Sequence, residues 1–472
     1  MQKTKRTKIV ATIGPATTSE AVLTKLVRSG LNVARINFSH GDHVEHQEKV
    51  DHIRKVSKKL KVPVAILQDL SGPKIRIGDF YEERVTLKKG SEFTLTTKKC
   101  VGDERRVYVN YPKLPKEIEP GRFIMLDDGK KKLKVLSAEG SEVRTKVVVG
   151  GETKGRRGVN LPGTDISISS LTAKDRRDIE FGVKNKIDFF ALSFVRRASD
   201  VEELRRILNR KKCDAKIIVK IETTQAIENL EEIIRASDGV MVARGDLAVE
   251  VPAEQVPILQ KKIVQMAREL GKPVIVATQM LESMIDSPVP TRAEVNDVAN
   301  AILDGTDAVM LSEETTLGKY PVEAVSTMAK IAVEVESEPI RRPILHCDEL
   351  GLDSVAEAVS DAVVKTANSV DARAIVVLSK SGFAARSIAR YRPSQSIIVL
   401  TPEERTVRRV CLSYGCRGFL IDSLEDVESA IKSAQEVLCR ERIVPARSRI
   451  VVSAGVPFNR SGTTNLLMVR EM

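Results

Sequence analysis

The sequence predicts an α/β protein: a closed (β/α)8 TIM barrel with a small all-β domain inserted after its third strand and a further α/β domain at the C-terminal end. Three observations carry this. The chain has 472 residues, enough for about two to four domains at roughly 100–200 residues each. Eight short, β-branched, almost continuous apolar runs recur, separated by longer amphipathic stretches, the pattern of parallel strands buried on both faces. Between the third and fourth runs the period breaks for residues 79–163, where apolar and polar residues alternate between Gly-containing turns, as in an antiparallel domain.

The eight runs begin at Lys8 (KIVATIG), Asn32 (NVARINFS), Val64 (VAILQDL), Asp188 (DFFALSF), Lys216 (KIIVKIE), Gly239 (GVMVARGD), Pro273 (PVIVATQM) and Asp307 (DAVMLSEE). Eight βα units favour a closed barrel over an open sheet. The barrel is expected over 1–78 and 164–340, and 79–163 is expected as an inserted β-barrel lid. A Pro-containing, charged segment from Ser337 to Gly351 reads as a linker. Beyond it ARAIVVLSKSG, QSIIVLTP, CRGFLID and SRIVVSAG alternate with helical stretches such as Asp353 to Asn368, predicting an α/β regulatory domain over 350–472.

Composition excludes several classes of function. With 42% hydrophobic residues, the chain has enough apolar surface to offset the entropy of ordering, so it is not a disordered protein. No apolar run reaches the ~18 residues of a membrane span, and no leader pattern opens the chain, so a cytoplasmic protein is expected. The six cysteines form no C-x-x-C pair and no metal-ligand spacing with the five histidines, which reads as reduced thiols. The net charge of +12 raises the question of nucleic acid. Aromatic residues to stack bases are scarce, however, with no Trp, 6 Tyr and 11 Phe. Residues 79–163 hold 19 Lys and Arg against 13 Asp and Glu, so half of the net charge sits on the insert.

In a barrel the chemistry lies at the C-terminal ends of the strands. The second strand ends in Arg35, Asn37 and Ser39, two apart and so on one face. The fifth ends Lys220-Ile221-Glu222, an ammonium and a carboxylate whose burial as a mere ion pair costs more than it returns. The sixth ends Arg244-Gly245-Asp246 before a helix whose free N–H groups favour an anion; Asp246 read alone is equally an N-cap. Glu222 and Asp246 together suit Mg²⁺, which takes one or two carboxylates and completes its shell with substrate oxygens and water. Thr278 presents a hydroxyl from the seventh strand. A Lys, an Arg, a divalent cation and free amides describe phosphoryl transfer, and no G-x-x-x-x-G-K-[ST] loop is present.

The sequence resembles the pyruvate kinase family. The likeness runs through KIVATIGPA, ARINFSHG, DLSGPKIRIG, GVNLPG, DFFALSFVR, IIVKIE, VMVARGDL, ATQMLESMI, PTRAEVNDVANAILDG and MLSEET, in order along the barrel. It implies phosphoryl transfer from phosphoenolpyruvate to ADP, giving pyruvate and ATP in glycolysis. By matched motif, Arg35 and Lys220 would hold the transferring group and Glu222 and Asp246 the Mg²⁺, with Mn²⁺ as a substitute. The Gly245 and Asp246 amides and the Thr278 hydroxyl would bind the substrate carboxylate, and Thr278 would help to protonate the enolate through water. Asn37, Ser39, Asp69 and the Leu70 carbonyl would form a monovalent-cation site. Pro15, Asn37, His40, Arg76 and Arg157 would hold the nucleotide, with the insert as its lid. A homotetramer is implied.

Several positions depart from the family's commonest pattern. Lys74 stands where many members carry Glu; an ammonium beside Asp69 would replace the charge of K⁺, so K⁺-independent activity is expected. Thr223, Ala248 and Glu313 replace a frequent Asn, Gly and Gly. In the C-terminal domain Ser379-Lys380-Ser381-Gly382 reads as a phosphate nest for an allosteric effector, or as a plain helix-capping turn. Phe383 and Ala384 replace the Arg and Ser of bisphosphate-responsive relatives, which favours a monophosphate such as AMP. The loop Gly455 to Asn465, with Ser461, Thr463 and Thr464, would complete that pocket. The competing readings are a phosphomutase or C–C lyase of the same barrel type, and a basic nucleic-acid-binding protein.

Overall fold

A computed structural model describes residues 5–338, 355–424, 426–458 and 464–472. The expected linker, apart from Ser337 and Glu338, and the hydroxyls of Ser461 and Thr463 fall outside the described residues. The chain opens with three parallel strands, β1 (Lys8–Thr12), β2 (Val33–Asn37) and β3 (Ala65–Asp69). The insert follows as β4 (Arg84–Leu87), β5 (Glu92–Thr96), β6 (Arg106–Tyr108), β7 (Phe123–Leu126), β8 (Lys131–Glu139), β9 (Glu142–Val149), β10 (Gly151–Lys154) and β11 (Val159–Asn160). The barrel resumes with β12 (Phe189–Leu192), β13 (Lys216–Ile221), β14 (Gly239–Ala243), β15 (Val274–Ala277) and β16 (Ala308–Leu311). All eight predicted runs thus supply the strands of one closed barrel, in the order β1-β16-β15-β14-β13-β12-β3-β2.

The helices between the strands form where the sequence caps them and buries one stripe. Helix Ala198–Arg210 turns Val201, Leu204, Ile207 and Leu208 onto the sheet, the i, i+3, i+6/i+7 spacing of one helical face. Helix Ala173–Lys184 starts at a capping box in which Thr172 and Asp175 exchange side-chain and backbone bonds. Inside the barrel Val10, Val33, Leu67, Ala191, Ile218, Met241 and Ile275 fill the axis.

The insert keeps the alternation expected of it, and its Phe93, Leu95, Ile124, Leu133 and Val143 form a separate buried core. Its strands do not close into the expected β-barrel. They pair as a six-stranded sheet, β11-β7-β8-β9-β5-β6, and a ribbon, β10-β4. The isolated bridges Arg76↔Gly158, Ile77↔Val109 and Phe80↔Gly102 lie outside these strands. One pair, β5 with β6, is parallel, because the chain crosses over between them instead of turning back tightly.

The C-terminal domain is a five-stranded sheet of β17 (Ala374–Leu378), β18 (Ser396–Thr401), β19 (Cys416–Leu420), β20 (Arg449–Ala454) and β21 (Leu466–Glu471), ordered β19-β18-β17-β20-β21. The first four are the predicted parallel strands; β21 is an antiparallel edge that sequence reading missed, since its half-exposed residues lack a buried strand's apolar run. This domain docks on the barrel floor. Cys411 and Leu412 enter the barrel's axial core, and Arg392 pairs with Asp307 at 2.8 Å. No helix among the described residues is long and apolar enough to cross a membrane.

Candidate active site

Strand register brings the candidate residues to one rim. Thr12 sits opposite Arg35, Asn37 opposite Asp69, and Asp69 opposite Ala191, two residues before Ser193. Lys220 pairs with Met241, and Ala243 with Ala277, so Gly245 and Thr278 emerge side by side. Each of these positions is at or just past a strand's C-terminal end.

At the centre lie two cations and two carboxylates. Asp69, 1% exposed, accepts from Arg35 Nε at 2.7 Å, and the Lys220 ammonium is 3.7 Å from its other oxygen. Arg35 is further held by the Thr12 hydroxyl at 2.8 Å. Lys220 donates to Ser193 Oγ at 2.8 Å and stands 3.2 Å from Glu222 Oε2. Burial alone would lower the affinity of Lys220 for its proton, but Asp69, Glu222 and Asp246 together raise it, so the ammonium is charged. Burial likewise works against ionisation of Asp69, yet Lys220 and Arg35 hold its carboxyl below the ordinary range.

Glu222 is 1% exposed and differently placed. The Phe194 N–H donates to Oε1 at 2.6 Å, while Oε2 is buried without a hydrogen-bond partner among the described residues; its contact with Lys220 is an ion pair outside hydrogen-bond geometry. Burial pushes this carboxyl up to about 7, with Lys220 pulling it down and Asp246 pushing it up. A buried oxygen with no donor, close to a second carboxylate, suits a cation. Asp246 lines the adjoining cleft with Lys74, Asp128, Asn160, Phe194 and Glu250.

Gly245 N–H donates to Thr278 Oγ1 at 2.8 Å, and Thr278 Oγ1 donates to the Ala277 carbonyl at 2.6 Å. Thr278 and Gln279 both adopt left-handed backbone, φ 69° and 54°, a strained turn for non-glycine residues. Arg244 braces it: its guanidinium donates to the Thr278 carbonyl and to Asp297 Oδ1, both at 2.7 Å. Arg244, Ser193 and Thr12 were not among the sequence candidates. For Ser193 the legible signal was a hydroxyl one residue beyond β12; for Arg244 no local pattern says which way its side chain turns.

Ser39 N–H donates to Asn37 Oδ1 at 3.0 Å, and the Leu70 carbonyl accepts from Ser193 Oγ at 2.8 Å. Asn37 and Asp69 are neighbours, but the cations at Asp69 are Arg35 and Lys220. Lys74 does not pair with Asp69. It is exposed and borders the cleft near Asp128, because the chain leaves the barrel after Leu70 and carries Lys74 toward the insert. Arg76 and Arg157 come together, with Arg76 bridged to Gly158 and Arg157 paired with Asp127 at 3.3 Å. Pro15 and His40 are exposed on the loops after β1 and β2, and among the described residues no hydrogen bond or ion pair joins them to that arginine pair.

The departures at Thr223, Ala248 and Glu313 are structurally benign. Thr223 caps helix Thr224–Glu228, Ala248 is exposed on helix Arg244–Glu250, and Glu313 opens helix Glu313–Thr316, so none requires glycine. At the turn read as a phosphate nest or a plain helix cap, Gly382 N–H donates to Ser379 Oγ at 3.0 Å and Phe383 N–H to Ser381 Oγ at 3.4 Å, so the serines cap the start of helix Phe383–Ala389.

A (β/α)8 barrel with a buried Lys, Arg and carboxylate cluster at its mouth, and a cleft under an inserted domain, defines a phosphoryl-transfer enzyme of the barrel type. Family models for the pyruvate kinase barrel domain and the pyruvate kinase alpha/beta domain match residues 4–325 and 357–470. The pyruvate kinase of Staphylococcus aureus strain MRSA252 is 43% identical over 98% of this chain and 80% of its own length. That of Staphylococcus saprophyticus is 44% identical with the same coverage. A crystal structure of a pyruvate kinase from Cryptosporidium parvum superposes with a TM-score of 0.94 at 35% identity, over 99% of this chain and 96% of that one. The chain belongs to the pyruvate kinase family, whose members are phosphotransferases.

Proposed function

We propose that this enzyme transfers the phosphoryl group of phosphoenolpyruvate to ADP. The observation that carries the reading is the Lys220 ammonium, held by Ser193 and flanked by the carboxylates of Asp69 and Glu222. A terminal ADP oxygen attacks phosphorus, the bond from phosphorus to the enol oxygen breaks, and the enolate takes a proton at its methylene carbon to give pyruvate. Arg35 and Lys220 neutralise the charge spread over the equatorial oxygens as the group passes between them. Glu222 and Asp246 would hold Mg²⁺, with Mn²⁺ as substitute, which would supply further neutralisation of the transferring charge. Thr278, fixed beside Gly245, orients the substrate carboxylate and the water that delivers the proton.

The insert acts as a lid over the nucleotide, excluding water. Supporting this, insert residues Asp128 and Asn160 share the cleft with Asp246 and Glu250, and Asn160 Nδ2 donates to Glu250 Oε1 at 3.3 Å. Half of the net charge on this lid suits small, highly anionic substrates better than a nucleic acid. The cytoplasm and a homotetramer complete the reading by family likeness; light scattering of the purified chain checks the latter.

K⁺-independence also belongs to this proposal. Its support is the place of Lys74 on the cleft wall, from which an ammonium would reach toward nucleotide phosphates, and not a contact with Asp69. One experiment tests activity and ion dependence together: ADP-dependent pyruvate formation with Mg²⁺, with and without K⁺. The wild type is expected to be active and to change less than about tenfold on K⁺ addition; Lys220→Met is expected to lose roughly 10²–10³-fold in kcat. An inactive wild type refutes the assignment.

A further inference from the structure

The rim after β2 carries Asn37, Ser39 and His40, and their path is fixed at Phe38. Its N–H donates to the Asp69 carbonyl at 3.0 Å, and its own carbonyl accepts from Ser71 Oγ at 2.9 Å and from Lys174 Nζ at 2.6 Å. Both peptide groups between Asn37 and Ser39 are thus held by other segments of the chain. From Ser39 onward the loop is exposed and next held where Asp42 caps helix His43–Leu60 through the Val44 and Glu45 N–H groups. The anchor at Phe38 and that cap set its course.

Lys174 reaches this carbonyl from the first turn of helix Ala173–Lys184, 136 residues further along the chain. One turn along that helix Asp178 Oδ2 accepts from the same ammonium at 2.6 Å, and Asp178 Oδ1 meets His43 Nε2 at 2.8 Å. As an i, i+4 pair on a half-exposed lysine this contact stabilises little. Asp178 is only 2% exposed, however, and a buried carboxylate keeps its cation in place, which leaves the ammonium aimed at Phe38. The neighbouring Asp175 ties down the connections of the insert. Its Oδ1 accepts from the Gly72 N–H at 3.2 Å, on the chain leaving the barrel, and its Oδ2 from the Thr172 N–H at 2.8 Å, on the chain returning. One helical turn therefore joins the loop after β2 to both connections of the lid. None of Lys174, Asp178 and Ser71 lines the cleft.

We propose that Lys174 is a positioning residue for the nucleotide: through the Phe38 carbonyl it holds Asn37, Ser39 and His40 in the course that ADP requires. The inference rests on the phosphoryl-transfer reading and adds to it a residue outside the cleft, one that acts through a loop and not on a substrate. A charge-assisted bond to a carbonyl is among the stronger hydrogen bonds, and a small displacement of groups that orient a reactant is costly. Phosphoenolpyruvate is spared. The groups assigned to it are held elsewhere: Arg35 by Thr12 and Asp69, Lys220 by Ser193, and the Thr278 turn by Arg244. The two substrates of one reaction are thus positioned by separate sets of contacts, and Lys174 belongs to the nucleotide's set alone.

Initial rates with each substrate varied in turn, and titration calorimetry with MgADP, test this on the full chain as wild type, Lys174→Met, Lys174→Arg and Lys184→Met. Lys184, exposed in the last turn of the same helix, controls for the loss of a surface lysine, and Asp178 keeps His43 in every variant. In Lys174→Met the KM and Kd for ADP are expected to rise at least about tenfold, while the phosphoenolpyruvate KM changes less than about threefold. Lys174→Arg is expected to recover most of the loss, because a guanidinium also donates to a carbonyl and a carboxylate at once. Partial unfolding lowers the amount of active enzyme but leaves KM where it was, so a merely structural role would not move these constants. ADP constants within about twofold of the wild type in Lys174→Met, equal rises for both substrates, or the same rise in Lys184→Met overturn the proposal. A wild type that forms no pyruvate but binds MgADP more tightly than Lys174→Met would sink the enzymatic reading alone. Activity with unmoved ADP constants would sink the positioning role alone.

Discussion

His46 shows how burial sets chemistry one residue at a time. Helix His43–Leu60 carries it under the loop after β2, where it is 1% exposed and stacks on Phe38 with ring centroids 4.0 Å apart. Neither ring nitrogen has a hydrogen-bond partner among the described residues. Burial, with Lys49 adding repulsion, lowers its pKa from 6.5 to about 4. Between these values the unfolded chain takes up a proton that the folded protein refuses. Stability is therefore full above pH 6.5 and falls as pH drops toward 4, by up to about 3 kcal/mol. In urea titrations at stepped pH, His46→Leu is expected to remove most of that slope; an unchanged slope would show that other groups carry it. Nothing in the local sequence separates this histidine from His43, whose Nε2 meets Asp178 at 2.8 Å. Both rings lie against Phe38, but His46 is buried there while His43, at the first position of the helix, is exposed.

At the scale of elements, strand ends were the most legible feature. Continuous apolar runs ending in Arg35, Asp69, Lys220-Ile221-Glu222 and Gly245-Asp246 located the rim because strand direction and period dictate where a barrel's polar ends gather. The Thr278–Gln279 turn was not legible, since its left-handed backbone occupies residues with no intrinsic preference for it. Arg244 supplies the compensation through the Thr278 carbonyl and Asp297. Arg244→Met is expected to lower kcat by roughly ten- to a hundredfold through misplacement of Thr278. The phosphoenolpyruvate KM should change less, and Arg244→Lys should restore only part of the loss, because one ammonium does not reproduce a fork. Full activity in Arg244→Met would dismiss the brace.

For the whole molecule, the joint between barrel and C-terminal domain matters most. Arg392, 7% exposed, meets both oxygens of Asp307 at 3.2 and 2.8 Å and reaches the Gly305 carbonyl. Asp307 in turn accepts from the Val274 and Tyr414 N–H groups. Removing the guanidinium leaves a buried carboxylate without its cation, so Arg392→Ala is expected to cost about 3–5 kcal/mol, read as a lower urea midpoint. Loss of less than about 1 kcal/mol, the range of an exposed pair, would show that water replaces the arginine. At this scale the basic excess also acquires places: part lies on the insert and part faces a cavity between the barrel floor and the C-terminal domain.

By itself the sequence determined the barrel, its interruption after the third strand, the parallel sheet that follows, and the strand-end residues of the site. Those features follow from local periodicity and chain order, which short-range sterics and burial translate directly into structure. Only the tertiary structure decided that Lys74 faces the cleft instead of Asp69 and that Ser193 holds Lys220. It also decided that Lys174 anchors the Phe38 carbonyl. Each of these depends on where two segments far apart in the chain come to rest. Such long-range placement is set by the packing of whole elements, and no window of the sequence contains it.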